Sequence, residues 1–90
     1  MKIAVFVDDV GQIAPMDQSG TVLLFAREVQ QWRLCQQFPF TMTPEMSLTE
    51  IREHTLSLLA QFPECRHFVA RDIHGVLLAW LDGKGLTMWQ

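Results

Sequence analysis

The strongest clue to the fold is an unbroken run of apolar residues near the start of the chain, at residues 3–7. A strand with one face in water alternates apolar and polar residues, whereas a strand buried on both faces is apolar throughout. The run therefore predicts a central strand over Lys2–Val7, covered on both faces. The segment Asp8-Asp9-Val10-Gly11 that follows predicts a turn, in which Gly11 is free to take positive φ.

Four further segments are rich in apolar β-branched and aromatic residues and predict strands. They lie at residues 21–27, 32–38, 67–71 and 86–89, and a short strand is predicted at residues 12–14. Between Trp32 and Phe38 apolar and polar side chains alternate, which is typical of an antiparallel edge strand. Pro39 is expected to end this strand, since proline has no N–H to donate.

Two segments have the pattern of helices. Ser47-Leu48-Thr49-Glu50 is a capping box, in which the Ser47 hydroxyl accepts from the Glu50 amide while the Glu50 carboxylate reaches back. Apolar residues then recur at helical spacing as far as Phe62, and Pro63 ends the pattern. A second apolar stripe predicts a helix over residues 73–81, with Asp72 as its N-cap.

The predicted element order is β-β-β-α-β-α-β, an α/β fold with a mixed sheet. Hairpins join the first three strands, and helical crossovers lead to the last two. Because such crossovers are right-handed and the first strand is central, the expected strand order is 3-2-1-4-5, with helices covering the faces of the sheet. That layout is ribonuclease-H-like, and we expect residues 1–90 to form one domain.

Composition excludes several classes of function. The 90 residues include seven Lys and Arg against ten Asp and Glu, a formal net charge of −3, and no basic stripe. We expect no nucleic-acid partner, because such binding requires cations that displace counterions from phosphates. Apolar runs fall far short of the roughly 18–20 residues of a membrane span, and the acidic Asp8-Asp9 pair argues against a signal peptide. A soluble, cytoplasmic protein with no membrane partner is the expectation.

Five residues at one predicted edge of the sheet form the first candidate site. If the first and fourth strands are neighbours, Asp8 and Asp9 come near Asp72, His74 and Gly75. Carboxylates bind divalent cations, so Asp8 and Asp72 are candidate metal ligands with His74 as base or ligand, as in a Mg²⁺-dependent hydrolase. The simpler interpretation is that Asp8 holds a turn, Asp72 caps a helix and His74 is exposed.

The second candidate site consists of soft donors. Cys65 and His67 are two residues apart, a spacing that can present both to a soft metal or an iron–sulfur species on one side of the fourth strand. The two cysteines, Cys35 and Cys65, make no disulfide framework. The simpler interpretation is that each is a small buried residue or an inert thiol.

A pure interaction module is the third hypothesis. Trp32 and Trp89 lie in predicted edge strands, which can pair with a partner or with a second copy in a homodimer. Met16, Met42 and Met46 flank two loops, where thioethers could bind a soft metal, contact a partner or fill gaps. Glycine-rich phosphate-binding, serine-hydrolase and metalloprotease motifs do not occur, so the residues alone predict no named reaction.

One ordered series of segments extends over nearly the whole chain. The segments are Met1-Lys2-Ile3-Ala4-Val5-Phe6-Val7-Asp8, Gly11-Gln12-Ile13-Ala14, Phe38-Pro39-Phe40, Leu48-Thr49-Glu50-Ile51-Arg52, Cys65-Arg66-His67-Phe68-Val69-Ala70, and Leu81-Asp82-Gly83-Lys84-Gly85-Leu86 with Trp89. Taken in order, they resemble the AnfO family of iron-only nitrogenase accessory proteins. The opening is also similar to that of the NifX/NafY-type nitrogenase cofactor-binding domains, which have a ribonuclease-H-like fold.

The resemblance implies a non-enzymatic accessory protein that assists or vets the maturation of iron-only nitrogenase. Its implied partners are the dinitrogenase or cofactor-assembly proteins. The resemblance also implies that the protein would bind a nitrogenase iron–sulfur cofactor transiently. Cys65 is the first candidate ligand, because it is the soft donor within a matching segment. His67, His74 and Cys35 follow as further candidate ligands.

Overall fold

The predicted sheet is present, with its strands in the order 3-2-1-4-5. A computed structural model describes all 90 residues. Its elements are β1 (Lys2–Val7), β2 (Gly20–Glu28), β3 (Gln31–Phe40), α1 (Leu48–Leu59), β4 (His67–Val69), α2 (Gly75–Gly83) and β5 (Thr87–Trp89). The α/β class, the element order and the strand order expected from the sequence are confirmed.

Both helices lie on the same face of the sheet. β1 pairs antiparallel with β2 and parallel with β4, while β3 and β5 form the two edges. The connections β3–α1–β4 and β4–α2–β5 cross the sheet in the same direction, and right-handed crossovers then place their helices on one side. The sequence predicts helices on both faces of the sheet. In the structure both helices cover the same face, and the other face has none.

The core lies between the helices and the covered face. Alternate residues of the inner strands point into it, so Ala4, Phe6 and Phe68 are completely buried. Leu58 of α1 and Leu81 of α2 belong to the same buried cluster. Burial of a side chain as large as Phe or Leu contributes about 1.5–3 kcal/mol, so this one cluster fixes both helices to the sheet.

The first helix begins where its sequence predicts. The Glu50 amide donates to the Ser47 hydroxyl (3.1 Å), and the Ser47 amide donates to the Glu50 carboxylate (3.2 Å). Both hydrogen bonds of the capping box are therefore made. Helix α1 has 12 residues. Neither helix of the protein has the length and hydrophobicity that a membrane-spanning helix needs.

Strand boundaries differ from the prediction by one residue at either end of β2 and at the starts of β3 and β5, and by two residues at the C-terminal ends of β3 and β4. β3 continues through Pro39 to Phe40, because an edge strand can turn the proline nitrogen away from its only neighbour. β4 is shorter than predicted and ends at Val69. The segment 12–14 forms an isolated bridge at Ile13 instead of a strand.

Candidate functional site

The carboxyl ends of β1 and β4 lie side by side, as the strand order requires. The segments that follow them include Asp8 and Asp72, so both residues lie at one edge of the sheet. The Asp8 carboxylate is engaged locally, since its Oδ1 accepts hydrogen bonds from the amides of Val10 (3.0 Å) and Gln12 (2.9 Å). These bonds close the turn after β1, which is the simpler of the two interpretations of Asp8.

Asp72 and His74 belong to the loop that leads into α2. Nδ1 of His74 lies 2.7 Å from the carbonyl oxygen of Asp72. A carbonyl can only accept, so Nδ1 has the proton and Nε2 is left free. The helix begins at Gly75 with His74 as its N-cap, and the prediction that Asp72 caps it is wrong. The Mg²⁺ site at Asp8 and Asp72 stays a prediction.

A groove of about 550 Å³ lies between the N-terminal ends of the two helices, beside these loops. Met16, Met42 and Met46 contribute to its wall. Met16 is almost completely buried, and Sδ of Met46 accepts a hydrogen bond from the amide of Thr43 (3.3 Å). The methionines therefore line an apolar recess at this edge of the sheet.

Cys65 is enclosed by the core. The residue is 2% exposed, and its single S–H has two carbonyl oxygens within reach, that of His67 at 3.1 Å from Sγ and that of Lys2 at 3.5 Å. Burial raises the pKa of this thiol, because the thiolate would lose its hydration. Metals and clusters bind the thiolate, so this environment disfavours Cys65 as a ligand, although the residue borders an apolar recess of about 190 Å³ beside α1.

The other candidate ligands lie elsewhere in the molecule. His67 is on the face opposite the core, where its Nδ1 accepts a hydrogen bond from Nε1 of Trp89 (3.2 Å). Cys35 lies at the irregularity in the β2–β3 pairing, and His74 is in the loop before α2. The structure does not bring these residues together with Cys65, and no three His, Cys, Asp or Glu residues are placed to hold a metal ion.

The second face of the sheet has apolar side chains and no helix over it. We define the open face as eight residues that the cross-strand pairing places on this side: Ile3, Val5, Leu23, Phe25, Trp32, Leu34, Val69 and Trp89. Trp89 is 55% exposed, Trp32 46% and Leu34 42%, and the other five are partly exposed. Single exposed apolar residues are normal, but a contiguous patch of them marks an interaction site.

Sequence reasoning misses the open face, although its signal is present. The apolar run at residues 3–7 predicts a strand covered on both faces. The chain supplies only two crossover helices, and both crossovers advance in one direction, so the handedness rule assigns both helices to one face. Together these observations predict an apolar face that the chain itself does not cover.

The sequence matches a protein-family model. The family is described as iron-only nitrogenase protein AnfO, and the match spans residues 2–90. Neither a curated protein nor a solved structure matches the chain. The ribonuclease-H-like assignment rests on the strand order and stays a prediction.

Proposed function

Because this chain belongs to the AnfO family of iron-only nitrogenase proteins, we propose that it assists nitrogenase maturation by binding another protein. The family implies an accessory role in the iron-only nitrogenase system. The proposed partner is the dinitrogenase or a protein that assembles its iron–sulfur cofactor. No catalytic step is part of the proposal.

The open face is the observation that supports this function. A contiguous apolar surface on a protein of this size fits a site of protein–protein contact. Trp32 and Trp89 supply the large side chains that dominate binding energy at interfaces. Transfer of a cofactor by Cys65 has weaker support, because this thiol is buried and within hydrogen-bond distance of backbone carbonyl oxygens.

The test is anaerobic purification of the chain from cells that make iron-only nitrogenase and its cofactor. The mass of any complex and the iron content of the isolated chain are measured. We expect a complex with the dinitrogenase or with a cofactor-assembly protein, and an isolated chain whose iron content equals that of Cys65→Ala. The absence of any complex with a nitrogenase protein would contradict the proposal.

A cofactor carrier would behave differently in the same experiment. The isolated chain would retain iron, and Cys65→Ala would lose it. Cys35→Ala is the matched control, since Cys35 is the other free thiol and lies on an edge strand away from the core. Iron that depends on Cys65 alone would make the buried thiol a ligand after a local rearrangement.

A further inference from the structure

On the open face, one side of the apolar run in β1 has no helix over it. Ala4 and Phe6, on the helical side of β1, are completely buried, whereas Ile3 and Val5 on the open face are partly exposed. Strands in parallel pairs are normally covered on both faces, and helices are the elements that cover them. The chain therefore has two layers of a three-layer arrangement.

We propose that the open face binds an amphipathic helix of a partner protein, with the apolar stripe of that helix across β1, β2 and β3 and acidic residues along its flank. The inference rests on the proposed function in one respect, that the occupant is a protein. A strand added at β3 or β5 would pair with a sheet edge and leave the apolar side chains in water. A helix laid on the face covers those side chains, as α1 and α2 do on the other side.

The positive charge of Arg27 on this face is the reason for expecting acidic residues along the flank of the partner helix. Arg27 is the one formally charged side chain that the strands place on the open side, and it is exposed and makes no ion pair. Glu28 points to the opposite side of β2, where it pairs with Arg33 (2.6 Å). Since the strands place no carboxylate on the open side, acidic groups of a partner are the complement to Arg27.

A second copy of the chain fits this surface less well. Two open faces placed together bring no carboxylate to Arg27, because the face has none. The strands cover roughly 500 Å² at the usual strand spacing and rise, whereas each partner in a stable complex buries about 800 Å². A surface of this area is typical of a transient complex.

Two synthetic helical peptides of about 18 residues test the inference. Both have the same leucine stripe, and one has glutamates on its flanks where the other has lysines. Amide chemical shifts of the labelled protein locate the site, and tryptophan fluorescence gives the affinities. We expect the glutamate peptide to shift the open-face residues of β1, β2 and β3, and to bind roughly three- to tenfold more tightly than the lysine peptide.

Matched substitutions separate the open face from other exposed apolar residues. Trp32→Ser and Leu34→Ser should weaken binding of the glutamate peptide. Leu48→Ser and Val76→Ser change apolar side chains that are 59% and 51% exposed near the starts of the helices, and they should leave binding unchanged. All four positions are exposed, so the fold should tolerate each change.

A charge reversal tests the flank separately from the stripe. Arg27→Glu should reverse the preference between the two peptides, because it replaces the cation of this face by an anion. Arg52→Glu makes the same change at an exposed position of α1 and should preserve the preference for the glutamate peptide. Equal affinity of the wild type for both peptides would overturn the inference.

Further outcomes separate this inference from the proposed function. Shifts centred on the groove between the helices, or a wild-type dimer that Trp32→Ser dissociates, would overturn the inference. A nitrogenase complex that survives Trp32→Ser and Leu34→Ser would overturn it too, while leaving the proposed function intact. Peptide binding as expected, without any nitrogenase complex, would support the surface and contradict the proposed function.

Discussion

The indole Nε1–H of Trp89 donates a hydrogen bond to Nδ1 of His67, 3.2 Å away, at the β4–β5 side of the open face. The two ring centroids are 6.3 Å apart. The bond requires an Nδ1 without a proton, so the neutral imidazole has its proton on Nε2. Removal of the His67 ring would therefore leave the Trp89 indole without this acceptor.

Loss of this acceptor should change the surroundings of Trp89. In His67→Ala we expect the indole N–H resonance of Trp89 to move, because the hydrogen bond from its Nε1–H is no longer made. The resonances of Trp32 and Trp80 should move less. An unchanged Trp89 resonance in this variant would contradict the hydrogen bond between the two side chains.

The two thiols should differ in reactivity. Burial raises the pKa of Cys65, so this thiol stays protonated where an ordinary cysteine has begun to ionise. We expect iodoacetamide near pH 8 to alkylate Cys35 first, and Cys65 only after denaturation. Mass spectrometry of the two peptides measures this order, and equal rates in the folded protein would contradict the enclosed position of Cys65.

The same raised pKa links Cys65 to stability at alkaline pH. A proton held more tightly in the folded than in the unfolded chain stabilises the fold fully below the ordinary thiol pKa of about 8.5. This contribution is lost as pH rises through the higher folded value. The free energy of unfolding should fall over that window, Cys65→Ala should remove the fall, and Cys35→Ala should keep it.

Asp8 allows a test between a turn and a metal site. Asp8→Asn keeps an oxygen that can accept both amide hydrogen bonds, so we expect little loss of stability. Asp8→Ala loses both bonds and should cost about 1–2 kcal/mol. Asp9→Ala, next to it in the turn, is the matched control. If Asp8 instead binds Mg²⁺, added Mg²⁺ will raise the melting temperature of the wild type but not that of Asp8→Asn.

Features that depend on local chemistry are predicted best from this sequence. The capping box needs only Ser47 and Glu50, three residues apart, and both of its hydrogen bonds are present. The strand order depends on the apolar run in β1 and on the handedness of crossovers, which is a general rule.

Features that depend on distant segments are predicted less well. Aspartate is a favoured N-cap residue, so Asp72 is a reasonable prediction from the sequence. In the structure the amide of Ile73 donates to the side chain of Gln90 (2.8 Å), a residue 17 positions away. Helix α2 begins later, at Gly75. Cys65 and His67 have the spacing of neighbours on one side of a strand. Because β4 begins only at His67, Cys65 turns into the core instead.

Gly20 is the glycine that lies closest to the backbone of a neighbouring strand. A Cβ built on Gly20 of β2 would overlap the carbonyl oxygen of Val7 and lie 2.6 Å from Cζ of Phe6. Phe6 is completely buried, so its ring cannot move aside without disturbing the core. Gly20→Ala should therefore reduce the free energy of unfolding by about 1–3 kcal/mol, as measured by urea denaturation.

Gly83→Ala is the control for this substitution. Gly83 is the last residue of α2, has no positive φ, and has no atom within 4 Å of a built Cβ. Alanine favours a helix over glycine, so we expect no loss and a gain of up to about 1 kcal/mol. If the two substitutions have the same effect, β1 must be able to shift away from β2 at Val7, and the packing of Phe6 does not limit residue 20.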